Sequence, residues 1–201
     1  MIIKSYETSK IDIKNCNMIL FYGKNEGLKI EEISKIKLKN LDMDISNYEE
    51  KEIIDNYNDF LNSILSKSLF GKGKIIIIKR TTEKILKYIN ELSSINLEDT
   101  ILIINADNLE KKSKLRSLFE KDKKKICVAF YPDTEQTLSK LTYNFLKQKK
   151  ISLSPSNINL IIRKCNGDRQ FLLNELTKIE LFSKYGKKIT TENIEKLTNL
   201  T

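Results

Sequence analysis

Four short runs free of charged residues constrain this chain more than any other feature: Met18 to Tyr22, Ile75 to Ile78, Thr100 to Ile104 and Ile126 to Phe130. Runs of this length are too short for a buried helix, and without polar alternation they must be covered on both faces. That is the pattern of inner strands in a parallel sheet, whose crossovers lay helices over both sides. Between them lie segments with helical spacing. Leu28, Ile30, Ile33 and Ile36 mark a helix over Gly27 to Lys39. Ile53, Ile54, Tyr57, Phe60, Leu61, Ile64 and Leu65 share one face of a helix over Glu49 to Lys67. Further helices are read over Glu83 to Leu92 and Lys111 to Lys121, and Leu41, Met43 and Ile45 alternate with polar residues as in a half-buried strand. Strands alternating with helices predict an α/β layer: a parallel sheet flanked by helices.

Beyond Pro132 the strand signal ends. Asp133 reads as the cap of a helix reaching about Lys149, with Gln136 at the capping-box position. Ser154-Pro155 opens a helix to Cys165. Gly167-Asp168 is a turn before a helix over Arg169 to Tyr185, with Phe171, Leu172, Leu176, Ile179 and Phe182 inward. Gly186 ends that helix, and Thr191 starts a short last one carrying Ile194 and Leu197. A small all-helical domain therefore follows the α/β domain. The boundary falls between Tyr131 and Ser154, giving domains over 1–140 and 141–201.

Composition narrows the chemistry. The 201 residues suffice for a real core. Lys and Arg number 36 against 27 Asp and Glu, a formal charge of +9 that would suit nucleic acid or an acidic protein surface. Lysine is abundant together with isoleucine and asparagine, as AT-rich coding would produce, so part of the excess belongs to solvated faces. With no histidine, His-based general-base catalysis and His-ligated metals are excluded. Cys16, Cys127 and Cys165 are far apart and in no CxxC pair, which points to reduced thiols in a cytoplasmic protein rather than to disulfides or zinc. Met1 to Lys4 is too short and too polar downstream for a signal peptide, and no apolar run approaches a bilayer span, so no membrane partner is expected.

A strand ending in glycine before a helix is where a phosphate-binding loop would sit, with glycines exposing backbone N–H groups, a lysine neutralising charge and a hydroxyl binding magnesium. Here the stretch reads Gly23-Lys24-Asn25-Glu26-Gly27-Leu28-Lys29-Ile30. The glycines are one residue too close, Leu28 stands at the lysine place, Ile30 replaces the hydroxyl residue, and Glu26 brings negative charge towards any phosphate. After Ile101 to Ile104, where an acidic pair would hold magnesium, the chain has Asn105-Ala106, with Asp107 two positions late. Gly23, Gly27, Lys29 and Asn105 thus outline a degenerate, inactive nucleotide site with no cofactor.

Ser68-Leu69-Phe70-Gly71 places two large apolar side chains beside a turn, Lys72-Gly73-Lys74. Such a pair either finishes the core under the preceding helix or forms a knuckle offered to a partner, and pattern alone leaves both open.

Taken together, Asn17-Met18-Ile19-Leu20-Phe21-Tyr22-Gly23, Ser68-Leu69-Phe70-Gly71, Lys111-Lys112-Ser113-Lys114-Leu115, and Gly167-Asp168 leading into Asn174-Glu175-Leu176 resemble the delta subunit of the bacterial DNA polymerase III clamp loader. The resemblance implies an AAA+-like module without ATPase activity and a three-helix lid. It also implies a C-terminal collar, and the chain stops at Thr201, before any such domain. The implied role is to bind the sliding clamp (the beta subunit) and favour ring opening during DNA replication. The chain would do so as a non-catalytic subunit of the DNA-directed DNA polymerase III holoenzyme, with other loader subunits and primer-template DNA as further partners. Leu69 and Phe70, flanked by Ser68 and Gly71, would enter the clamp's apolar pocket. The alternatives are an active P-loop ATPase or a nucleic-acid-binding domain.

Other residues carry weaker signals. Lys111, Lys112 and Lys114, placed in a helix's first turn, oppose its dipole and so could face a charged partner, although a solvated face explains them as well. Lys79-Arg80 could meet an acidic rim on the clamp or simply end a strand. Asn174 and Glu175 read as lid-packing positions. Arg163 and Arg169 have no spacing that assigns them a role, and Cys165 after Arg163-Lys164 resembles the arginine-finger stretch of other loader subunits only superficially.

Overall fold

The computed structural model describes residues 1–11, 16–66, 72–97, 99–184 and 189–198. Ser68, Leu69, Phe70 and Gly71 lie outside the described residues, as does Gly186. The chain forms two compact units, Met1–Tyr131 and Pro132–Thr201.

The first unit is built on six parallel strands: β1 (Ile2–Lys4), β2 (Met18–Tyr22), β3 (Asp44–Glu49), β4 (Lys74–Thr81), β5 (Thr100–Ala106) and β6 (Lys125–Ala129). Their order across the sheet is β1-β6-β2-β5-β4-β3. The four uncharged runs are the inner strands, and each alternates between two cores because successive side chains face opposite sides. Leu20, Ile76, Ile78, Leu102 and Ile104 enter one core. Ile19, Phe21, Ile75, Ile77, Ile101 and Ile103 enter the other.

Helix α1 (Glu26–Lys39) covers the second face through Ile33 and Ile36. The first face is covered by α2 (Glu50–Asp55), α3 (Tyr57–Leu65), α4 (Leu86–Ser93) and α5 (Lys114–Lys121), through Ile53, Phe60, Ile64, Ile89, Leu92, Leu115 and Phe119.

Several elements differ from the sequence reading. The helix expected over Glu49 to Lys67 is two helices, broken at Asn56 (φ −137°, ψ 55°), with Glu49 and Glu52 forming a capping box for the first. The break has no proline or glycine to announce it, and both pieces keep apolar faces on one core. The strand expected from Leu41 begins at Asp44, and Leu41 is exposed. Helix α5 starts after its N-cap Ser113, so Lys111 and Lys112 precede the helix and only Lys114 meets its dipole. Strand β1 was not foreseen, because three residues at a sheet edge carry no readable period.

The second unit comprises α6 (Glu135–Lys149), α7 (Pro155–Lys164), α8 (Arg169–Ser183) and α9 (Thr191–Thr198) around Leu138, Leu146, Ile158, Ile161, Leu172, Leu176, Ile179 and Ile194. The division placed after residue 140 would cut through α6, whose buried face belongs to this core; the units part after Tyr131. Thr134, not Asp133, caps α6, pairing reciprocally with Thr137 rather than Gln136. Asp133 instead lies 3.2 Å from the Arg169 guanidinium, both side chains largely buried. Phe171, expected inward, is exposed. No helix among the described residues is long and apolar enough to cross a membrane.

The α5–β6 turn ties down the N-terminus. The Met1 amino group donates to the carbonyls of Asp122 (2.9 Å) and Lys125. The Asp122 carboxylate accepts from the Lys125 ammonium and, at 2.8 Å, from the Lys124 N–H. The bond from Lys125, then that from Lys124, hold the Asp122 carboxyl below its ordinary range. A depressed folded value means the stabilisation is complete above the ordinary carboxylate range and is lost as pH falls through the depressed value. Asp122→Asn is therefore expected to lower stability at pH 7 by about 1 kcal/mol. Urea midpoints of variant and parent should converge as pH falls through the depressed Asp122 value.

Candidate functional site

The C-terminal ends of the parallel strands, where open α/β sheets bind ligands, meet the N-terminus of α1. In the connection from β2 to α1, four backbone donors are engaged by groups of the protein itself. Gly23 N–H donates to Asp107 O (3.1 Å), Asn25 N–H to Phe130 O (3.3 Å) and Glu26 N–H to Lys24 O (3.0 Å). The Leu28 N–H is taken by Asn25 Oδ1 at 3.1 Å, making Asn25 the helix cap. Asn25 Nδ2 reaches Tyr131 O at 3.0 Å. The loop thus folds onto the ends of β5 and β6 rather than around an anion. Gly23 is required there: its φ is 121°, and a Cβ would come within 2.2 Å of Phe130 O.

Lys29 decides the electrostatics. Counted from Gly23 it holds the lysine place of the motif, whereas the spacing from Gly27 had put Leu28 there. One turn into α1, its side chain is only 2% exposed. The ammonium donates to Ala106 O at 2.7 Å and lies 2.7 Å from Glu26 Oε2. The other carboxylate oxygen, Glu26 Oε1, accepts from Asn105 Nδ2 at 2.8 Å. Asn105 is buried and its Oδ1 has no hydrogen-bond partner. Of the four residues expected at the degenerate site, the structure joins Lys29 and Asn105 through Glu26. Gly23 turns the chain behind them, and Gly27 is simply part of the first turn of α1.

Beside this cluster a cavity of about 640 Å³ opens on the α1 face of β3, β4 and β5. Ile77, Asn47 and Asn105 floor it; Lys24, Lys37 and Lys79 contribute cations. Strand β4 is irregular between Ile78 and Thr81, and Arg80 there adopts a positive φ of 52°, placing its guanidinium Nε 2.8 Å from Glu49 Oε2. The strand ends nearest the cluster therefore present Lys79 and Arg80 from β4 and Asn105 from β5. The carboxylates around the cavity, Glu26, Glu49 and Asp107, come from α1, the edge strand and the connection after β5. No group of three or more acidic or thiol residues among the described residues could hold a metal ion.

The remaining sequence candidates are dispersed. Asn174 is exposed and accepts from Gln170, whereas Glu175 is buried and pairs with Lys178 at 2.8 Å. Arg163 is exposed. The Cys165 thiol is buried and pushed up to about 12, chiefly by that burial and then by Glu175 and Asp168, so it has no nucleophilic character at neutral pH. Cys127 is likewise pushed up to about 12 by burial. Asn25 and Glu26 are the residues that sequence reasoning undervalued. An asparagine directly before an acidic first turn is an N-cap signal, and a capped helix start leaves fewer donors for a ligand.

Residues 19–130 match the family model of the DNA polymerase III delta subunit. The chain belongs to that family. Among solved structures it is similar to the Bacillus subtilis DNA clamp loader delta protein (YqeN), with a TM-score of 0.61 and 15% identity. That likeness covers 96% of this chain and 62% of the other, so the chain spans under two thirds of the Bacillus delta protein. The Thermotoga maritima RuvB Holliday junction branch migration motor is similar with a TM-score of 0.59 and 15% identity, over 92% of this chain and 61% of the motor. Domain III of the Thermotoga maritima replication initiation protein DnaA gives 0.54 and 14%, over 96% and 87%. At these identities the likenesses show a shared AAA+-like fold. No curated protein sequence matches the chain.

In a delta-family module with this loop, Lys29 and Glu26 are not equivalent. Removing Lys29 leaves a carboxylate that is 56% exposed and can be hydrated. Removing Glu26 leaves a buried ammonium with one carbonyl. Lys29→Met is therefore expected to cost about 1–2 kcal/mol and Glu26→Ala about 3 kcal/mol, measured as loss of unfolding free energy in urea. The opposite order would show that Lys29 is hydrated in solution.

Proposed function

We propose that this chain is the clamp-gripping part of a clamp-loader delta subunit. Leu69 and Phe70, flanked by Ser68 and Gly71, enter an apolar pocket on the sliding clamp. The grip favours opening of the ring so that it can be loaded onto primer-template DNA during replication. The chain acts as a non-catalytic, cytoplasmic subunit, with ATP hydrolysis left to other members of the loader.

The observation that carries this reading is the delta-family match across the α/β unit. Two structural features support it. First, the N–H groups of Gly23, Asn25, Glu26 and Leu28 and the Lys29 ammonium are engaged by groups of the protein itself, as suits a module that does not turn over ATP. Second, both ends of the segment that contains Leu69 and Phe70 are held. Lys74 Nζ donates to Ser63 O and Ser66 O at 2.5 Å each and to Ser66 Oγ at 2.8 Å, joining the end of α3 to the start of β4. Lys72 N–H donates to Asp42 O at 3.0 Å, and Gly73 accepts from Asp44 N–H at 2.9 Å. Gly73 has a φ of 155°, and a Cβ on it would lie 2.2 Å from Asp99 O. These bonds fix where the chain leaves α3 at Ser66 and where it enters β4 from Lys72.

Titration of the cognate sliding clamp with this chain and with Leu69→Ala/Phe70→Ala tests the proposal. The double variant should keep the parent's melting temperature and lose at least about 30-fold in affinity, the effect of a 2 kcal/mol anchor. Equal affinity of variant and parent would sink the assignment of the pair.

A further inference from the structure

We propose that the groove between α4 and α5 is a docking surface for an acidic amphipathic helix of a protein partner. The groove, about 470 Å³ in volume, is lined by Leu86 and Asn90 of α4 and by Lys114, Ser117, Leu118 and Lys121 of α5, with Asp122 where α5 ends. Leu86 and Leu118 are half-buried and pack on the core beneath. Lys114, Ser117, Leu118 and Lys121 follow one another at i, i+3, i+4 and i+7, so they share one face of α5. The two lysines stand about 10 Å apart along its axis. An apolar strip is thus bracketed by two cations, two helical turns apart.

The charges select the occupant. Lys114 and Lys121 are exposed and, among the described residues, join no ion pair or hydrogen bond. The carboxylates that line the groove, or the recess adjoining it at Lys114, are Asp122, Glu83 and Glu110, and each has a donor of its own. Asp122 accepts from the Lys125 ammonium and the Lys124 N–H, Glu83 from the Leu115 N–H at 3.1 Å, and Glu110 lies 3.0 Å from the Lys112 ammonium. Lys114 also occupies the first turn of α5, which holds no acidic residue and whose dipole disfavours a cation. A partner's carboxylate there would relieve both deficits. The apolar strip favours a peptide over a nucleic acid. Leucines at the centre suit the apolar face of a helix laid into a groove, with acids one turn beyond on either side. A nucleic-acid strand is instead gripped by cations with aromatic stacking platforms, and no aromatic side chain lines this groove. None of these residues belongs to the proposed clamp contact, so the two readings stand or fall separately.

The test titrates the full chain with a fluorescein-labelled helical peptide of about fifteen residues, with leucines on one face and glutamates one turn beyond them at each end. Binding should be saturable, weaken with added sodium chloride, and fall at least about tenfold in Lys114→Glu/Lys121→Glu. Lys114→Gln/Lys121→Gln, a milder change, should weaken binding in the same direction and keeps the test meaningful where charge reversal unfolds the chain. Leu118→Ser should also weaken it. The control Lys140→Glu/Lys147→Glu makes the same change of charge at the same spacing on α6, at two exposed positions, and should bind as the parent does. A peptide with lysine in place of each glutamate should reverse the preference, binding Lys114→Glu/Lys121→Glu more tightly than the parent. No binding of the acidic peptide at millimolar concentration would overturn the proposal, as would equal losses in the α5 and α6 variants. An oligothymidylate that binds more tightly than the peptide, and depends on the same two lysines, would assign the groove to nucleic acid and overturn it too.

Discussion

Burial of β5 on both faces is the constraint from which the candidate site follows. All seven of its positions are buried, with β2 hydrogen-bonded on one side and β4 on the other. A strand held on four sides cannot slide or rotate, since a one-residue slip would exchange Ile101 and Ile103 with Leu102 and Ile104 between two filled cores. Its C-terminal end is therefore a fixed point. Asn105, on the α1 face by alternation, holds Glu26, while the carbonyls of Ala106 and Asp107 receive Lys29 and the Gly23 N–H. The loop, the helix start and the buried lysine are all referenced to that end.

This arrangement shows how the strand–loop–helix start of such an architecture can be held by the protein's own groups. A phosphate loop has donors and a lysine that need a negative partner, and an empty one would leave a buried cation uncompensated. Here the carbonyls of Asp107 and Phe130 take the Gly23 and Asn25 N–H groups, Asn25 takes that of Leu28, and Glu26 and the Ala106 carbonyl take the lysine. The module gains internal rigidity where an ATPase keeps an exchangeable ligand.

Much of the fold was legible because the physics behind it is local or periodic. Uncharged runs such as Ile75 to Ile78 can satisfy burial on both faces only as inner strands, and Ser154-Pro155 opens a helix by its own backbone preferences. Other features depend on partners distant in sequence. The break at Asn56 is chosen by how two helices share one core, and β1 is a strand because β6 offers it an edge. Thr134 caps α6 in place of Asp133 because the Asp133 carboxylate is drawn to Arg169, 36 residues away.

The sequence by itself determined an α/β layer followed by helices, the absence of histidine chemistry, and a phosphate loop with a misplaced acid. Each is a matter of residue type and spacing along the chain. Only the tertiary structure decided what became of that loop. Whether Lys29 faces a ligand or a neighbour depends on the positions of Glu26, Asn105 and the Ala106 carbonyl. Those meet only when α1 packs on the end of β5, almost eighty residues further along the chain.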